Sequence, residues 1–268
     1  MRIGISSYTF TWAIGVTNNM PANPLSAFGL IDKAKVLGIN LVQIADNLPL
    51  DAMSEDELSR FLAYAMTHDV SVQPGTAGTE PGHLKRYLEI ALACGSNIVR
   101  TIPDTKERKP SVEEIIQDLK AVAPQYRRSN VRIALENHDR FRCEDLVAIV
   151  RSVGEDTVGI CLDTVNSFGA LEGPSYVIEK LLPYTFNVHI KDFTIFREYH
   201  KMGFRIEGRP AGKGMLLIEP LLQKLNSSRP EVDAILELWT SPEVELYETI
   251  DKEDRWAVES VQYLKSFI

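Results

Sequence analysis

VRIALENHDRFRCEDLVAIVRSVGEDTVGICLD, residues 131–163, holds two apolar runs, each of which stops at a carboxylate. Val131-Arg132-Ile133-Ala134-Leu135 reaches Glu136, and Val158-Gly159-Ile160-Cys161-Leu162 reaches Asp163. The segment between them closes on Gly154, a residue suited to ending a helix in the left-handed region before the next strand. A strand, a helix and a second strand of this kind form one βαβ unit, and buried parallel strands read as nearly unbroken apolar runs.

The same unit repeats in both directions. Short β-rich runs stand at residues 2–6, 39–44, 70–73, 97–101, 131–136, 158–163, 186–191 and 234–238. Amphipathic stretches such as 25–37, 55–67, 83–93 and 112–126 lie between them, with Gly38 and Gly95 in turns equivalent to that of Gly154. Eight evenly spaced βα units predict a closed (β/α)8 TIM barrel in one domain, residues 1–268. A doubly wound sheet is the alternative, but Ser6-Ser7-Tyr8-Thr9-Phe10 follows the first strand where a glycine-rich nucleotide fingerprint would stand. Two long loops, residues 7–24 after strand 1 and 193–214 after strand 7, fall on the catalytic face of such a barrel.

Four consecutive strands end on polar residues: Glu136, Asp163, His189 and Glu237. Side chains alternate along a strand. Ala134, Cys161 and Ile235, two positions lower, therefore fill interior layers beneath three of the four, and Asn187 stands beneath His189. Three carboxylates side by side repel unless one protonates or a cation joins them. Four such residues in register favour one shared divalent ion over four unrelated ion pairs. Three carboxylates and an imidazole suit Mn²⁺ first, with Mg²⁺, Co²⁺ or Zn²⁺ as alternatives.

Composition narrows the partners. A 268-residue chain with 44% hydrophobic and 25% charged residues is ordinary for a globular protein. A formal net charge of −8 opposes nucleic-acid and anionic-membrane partners, which need a basic footprint. Cys94, Cys143 and Cys161 have no metal-site spacing, and an odd number suits a reducing compartment. The opening MRIGISSYTF lacks the features of a signal peptide. No run approaches the roughly 18 apolar residues of a membrane span. A cytoplasmic protein, compatible with a homo-oligomer, is the expectation.

ALENHDRF (134–141), GICLDTVNSFG (159–169), NVHIKDF (187–193), GRPAGKG (208–214) and AILELW (234–239), in this order, resemble the xylose-isomerase-like sugar (phosphate) isomerase/epimerase superfamily of TIM barrels. The superfamily also contains metal-dependent apurinic endonucleases. That branch needs additional histidines for a multi-zinc cluster, whereas this chain has five in all. The resemblance implies that Glu136, Asp163, His189 and Glu237 hold one metal and that Glu136 and Glu237 also move protons. Many epimerases of the superfamily carry His where Asn166 stands here, and HIKDF replaces their usual sequence after the metal histidine.

The expected function is a metal-dependent isomerase or epimerase. Its substrate would be a small sugar, sugar phosphate or hydroxy-carbonyl compound, converted through an enediolate-like intermediate. A decarboxylase of a 3-oxo sugar acid, of the 3-oxo-isoapionate type, is the first alternative. It rests on the basic residues Lys191, Arg100 and Arg209. A dehydratase and a non-catalytic carbohydrate-binding barrel are the others. Candidate contacts to a small polyhydroxy carbonyl substrate are His138, Asn166, Lys191, Arg100, Gln43 and Arg209. Lys191 shares the face of His189 and needs an anion, from Asp192 or from the substrate. Tyr8, Phe10, Trp12 and Trp239 are candidates for an apolar wall.

Overall fold

The computed structural model describes residues 1–267. Its strands are β1 (Ile3–Ser6), β2 (Leu41–Ile44), β3 (Ser71–Ala77), β4 (Ile98–Ile102), β5 (Arg132–Glu136), β6 (Val158–Asp163), β7 (Thr185–Ile190), β8 (Asp192–Arg197), β9 (Phe204–Arg209) and β10 (Asp233–Leu236). Helices α1 (Thr11–Ile14), α2 (Ala27–Val36), α3 (Glu55–Thr67), α4 (Pro81–Cys94), α5 (Val112–Arg128), α6 (Cys143–Val153), α7 (Pro174–Leu181), α8 (Ile218–Ser228) and α9 (Leu246–Lys265) connect them. Eight strands close into a parallel barrel in the order β1-β10-β7-β6-β5-β4-β3-β2, so β10 seals the ring between β7 and β1. The chain is a single-domain TIM barrel, as the repeating βα pattern predicts.

Local chemistry starts and stops several of the helices. Ser26, Ser54 and Ser111 each accept a backbone N–H at the first turns of α2, α3 and α5. Gly95, at φ +64°, ends α4 in the left-handed region that glycine tolerates best. Between barrel and helices lies one continuous apolar core, to which Leu30, Phe61, Tyr87, Leu119 and Leu222 contribute. A second, smaller cluster of Ile98, Ala134, Cys161 and Phe186 fills the barrel floor. Phe186 reaches it through a register shift: Thr185 pairs with Ile160 and Asn187 with Cys161, leaving Phe186 as the extra residue.

Two elements differ from the sequence expectation. Strand 3 does not end at Gln73 but runs to Ala77, because it changes neighbours. Pro74 stands opposite Ile44 of β2, and from Gly75 onward the ladder pairs with β4, so the missing proline N–H does not end the strand. The long loop after strand 7 is an antiparallel hairpin, β8–β9, with Asp192 opposite Arg209 and Arg197 opposite Phe204.

The hairpin hangs on a tightly packed base. Asp192 Oδ2 accepts the N–H groups of Gly212 and Gly214, and its Oδ1 those of Phe193 and Leu216. A Cβ on Gly214 would stand 2.2 Å from Asp192 Oδ1, and one on Gly208 1.8 Å from the Trp239 carbonyl. The glycines of GRPAGKG therefore let the hairpin lie directly against the barrel rim. No helix among the described residues is long and apolar enough to cross a membrane.

Candidate metal centre

Glu136, Asp163 and His189 are completely buried and Glu237 is 1% exposed, at the carboxyl ends of β5, β6, β7 and β10. The imidazole is the hub. Its Nδ1 lies 3.2 Å from Glu136 Oε2, 3.3 Å from Glu237 Oε1 and 3.8 Å from Asp163 Oδ2. Asp163 is oriented from below and behind: its backbone N–H donates to Asn137 Oδ1, and its Oδ1 accepts N–H groups from Val165 and Asn166. Oδ2 is thereby left facing the cluster.

His189 Nδ1, Asp163 Oδ2 and both Glu237 oxygens are buried without a hydrogen-bond partner among the described residues. Orphaned buried polar atoms are costly. Here they converge on one another, and Asp163, His189 and Glu237 offer ligand atoms within 4.8 Å. Glu136, Cys161 and His189 form a second such group. Cys161 lies two positions below Asp163 in the floor cluster with Ile98, Ala134 and Phe186, and burial first, then Glu136, push its thiol well up. The oxygen and nitrogen donors therefore suit a hard divalent cation.

Two basic side chains enter the same cluster. Arg100, 2% exposed, points into the barrel, where its Nε donates to Glu136 Oε2 at 2.5 Å and its Nη1 to Asp46 Oδ1 at 2.8 Å. Lys191 Nζ stands 2.8 Å from both Asp163 Oδ2 and Glu237 Oε2, forming an ion pair with each. Two cations thus face four carboxylates, Asp46, Glu136, Asp163 and Glu237. The two remaining negative charges match one divalent ion.

Burial alone would raise the Glu136 carboxyl, but Arg100, His189 and Lys191 hold it well below the usual range. Burial likewise opposes ionisation of Glu237, and His189 and Lys191 outweigh it. Desolvation would lower the His189 pKa, yet Glu237 and Glu136 raise it on balance. Lys191 is raised too: burial works against its charge and Asp163 and Glu237 overcome it.

The other expected contacts divide. Asn166 bridges the cluster, donating from Nδ2 to Glu136 Oε1 at 2.8 Å and accepting from Lys191 Nζ at 3.3 Å. Gln43 is completely buried and its amide is turned to the protein itself, with Oε1 2.7 Å from His189 Nε2 and Nε2 3.3 Å from Gln73 Oε1. Arg209 lies on the hairpin, where Glu207 engages it away from the four ligands. His138 is half-buried beside Asp139 and lines a neighbouring cavity with His83 and Asp46. Asp192 does not neutralise Lys191, because its oxygens are taken by the turn at 212–216. Asn187 is buried with neither amide atom partnered among the described residues.

Above the cluster opens a cavity of about 350 Å³, lined by Tyr8, Asn166, Phe168, Lys191, Leu238 and Trp239 among others. Of the four proposed wall aromatics, Tyr8 and Trp239 reach it, whereas Phe10 is buried in the core and Trp12 donates from its indole to the Thr240 carbonyl. Tyr8 also donates to Asp46 Oδ2 at 3.0 Å. Asp46 is a site residue that the sequence reading missed. Its one available signal is its position two residues after Ile44, at the mouth end of β2.

A family model described as a xylose isomerase-like TIM barrel matches residues 31–267. The chain is 31% identical over 264 residues to a 3-oxo-isoapionate decarboxylase of Pectobacterium atrosepticum, covering 98% of this chain and 95% of that protein. Among solved structures, a D-psicose 3-epimerase in the presence of D-fructose superposes with a TM-score of 0.72 at 15% identity, covering 100% of this chain and 99% of that one. A xylose isomerase-like barrel protein from Mycobacterium smegmatis in complex with magnesium gives 0.71 at 16%, covering 98% and 97%. At such identities the solved structures establish the shared fold.

Proposed function

The chain belongs to the xylose isomerase-like TIM-barrel family, and from that premise we propose that it is a divalent-metal-dependent lyase that decarboxylates a small 3-oxo sugar acid. The observation that carries this reading is the state of Glu136. Arg100 holds one of its oxygens and Asn166 the other. An epimerase working through two carboxylate bases needs an oxygen of each free to take a proton, and both oxygens of Glu136 already accept hydrogen bonds. Decarboxylation needs no base to begin. The 31% identity to a decarboxylase of this substrate class supports the same choice.

A divalent ion held by Asp163, His189 and Glu237, with Glu136 as the fourth ligand, would supply Lewis-acid stabilisation for negative charge on adjacent substrate oxygens. The bond to the substrate carboxylate breaks, CO₂ departs, and the electron pair is left on the former 3-oxo unit as an enediolate. Lys191 is the proton donor. Its ammonium lines the cavity, is charged at neutral pH, and is aimed by Asp163 and Glu237. It gives a proton to the carbon and recovers one from solvent. Phe168, Leu238 and Trp239 form an apolar wall that disfavours a carboxylate more than CO₂.

The test is a panel of 3-oxo sugar acids, ketoses and sugar phosphates with Mn²⁺ in D₂O, followed by NMR and CO₂ detection. The expected result is CO₂ release with one solvent deuterium at the carbon that lost it. Deuterium incorporation into a ketose with its carbon count unchanged would instead establish the second reading, an isomerase or epimerase. That reading is favoured by Glu237, whose Oε1 accepts no hydrogen bond among the described residues and is open to act as a base.

A further inference from the structure

We infer that Asp233, acting through Gln73 and Gln43, is a positioning residue that fixes which nitrogen of His189 carries the ring proton. A chain of hydrogen bonds climbs the barrel interior from floor to mouth. Arg2 Nη2 and Nε donate to Asp233 at 2.6 and 3.1 Å. Gln73 Nε2 donates to Asp233 Oδ2 at 3.0 Å, Gln43 Nε2 donates to Gln73 Oε1 at 3.3 Å, and Gln43 Oε1 lies 2.7 Å from His189 Nε2. Gln43 and Gln73 are neighbours in the register of β2 and β3. Both are essentially buried, so water does not compete for their amides.

The direction of this chain is set by charge. Asp233, paired with Arg2, can only accept. Gln73 must therefore turn its NH₂ group toward Asp233 and its oxygen toward Gln43. Gln43 must meet that oxygen with its own NH₂, which leaves its oxygen toward His189. The imidazole must then donate from Nε2, and Nδ1 is the nitrogen presented to Glu136, Asp163 and Glu237. Partners of this kind orient a ligating histidine and typically change metal affinity by about 10–100-fold when removed. The unusual part is the reach: the controlling charge lies at the opposite end of the barrel from the cluster. The consequence for metal affinity rests on the proposed metal centre, whereas the polarity of the chain does not.

The experiment uses protein labelled with ¹⁵N-histidine, metal-free and loaded with Mg²⁺. Two-bond ¹H–¹⁵N spectra report each ring nitrogen separately, and His189→Ala assigns the resonances. In the wild type, Nε2 is expected to hold a slowly exchanging proton in both states. Gln73→Met keeps length and burial but cuts the chain, and Asp233→Asn removes the fixed acceptor. Each is expected to speed exchange of the Nε2 proton and to weaken Mg²⁺ binding about 10-fold. Arg2→Met removes the floor ion pair but leaves the acceptor, and is expected to lower Tm with both readings unchanged. If Asp233→Asn does not fold, Gln73→Met decides alone. An Nε2 signal and an Mg²⁺ affinity both unaltered in Gln73→Met would overturn the inference. Unaltered Mg²⁺ binding in His189→Ala would remove the metal centre and leave the Nε2 reading standing.

Discussion

Lys191 and Arg100 determine what the four metal-directed residues can do, and they were legible to different degrees. An apolar strand that suddenly ends on Glu, Asp or His can be read from sequence, because a buried parallel strand gives no other reason for a polar residue. Lys191 was legible for the same reason, two residues after His189 on the same face. Its partners were not, since Asp163 and Glu237 reach it from the strands on either side of β7, and only their pairing with β7 brings them to 2.8 Å. Asp46 stayed hidden because nothing local distinguishes it from any exposed loop carboxylate. If Lys191 is the proton donor, Lys191→Met should lower kcat by about 10²–10⁴-fold, the usual scale for general acid–base catalysis. It should also leave Mg²⁺ binding intact or tighter, because a cation has been taken from the metal's surroundings. Steady-state kinetics at saturating metal together with calorimetric titration of Mg²⁺ measure the two effects separately.

At the scale of elements, periodicity located the barrel strands and the four helices it bounded within a few residues, and failed where structure is made at the surface. Hairpin β8–β9 joins Phe196-Arg197 to Phe204-Arg205 across a turn at Gly203, but its charged positions read as a solvated loop. The contact between α9 and the segment after β1 was equally silent. Glu253 of α9 is completely buried, and its carboxylate accepts the N–H groups of Trp12 and Ala13. Burial pushes its pKa up from 4.5 to about 7, with the two N–H donors resisting. Between these values the folded chain binds a proton that the unfolded chain has released. The contribution of Glu253 is therefore complete below the unfolded value and is lost as pH rises through about 7. Glu253→Gln should remove this loss. Its Tm should fall less than that of the wild type between about pH 5 and 8, as thermal unfolding at a series of pH values would record. Parallel curves across that range would show that Glu253 does not titrate in the folded protein.

For the whole molecule, the four candidate ligands come from β5, β6, β7 and β10, which are consecutive around the ring. One ion would link four adjacent strands, and a ligand that binds only the folded state stabilises it by mass action, by about 2.7 kcal/mol at a hundredfold excess over Kd. Chelation should lower Tm, and Mn²⁺ or Mg²⁺ should restore it. Differential scanning fluorimetry checks this, and a Tm indifferent to EDTA and to added ion would count against the site. The order of these strands has a further consequence for a chain that emerges from the ribosome amino end first. Glu136, Asp163 and His189 are synthesised well before Glu237, and Glu237 follows β10, the strand that seals the ring between β7 and β1. During synthesis, three donors are complete while the barrel is still an open sheet, and the last arrives with the closing strand. If the proposed centre binds an ion, its full donor set would be available only once β10 lies beside β7.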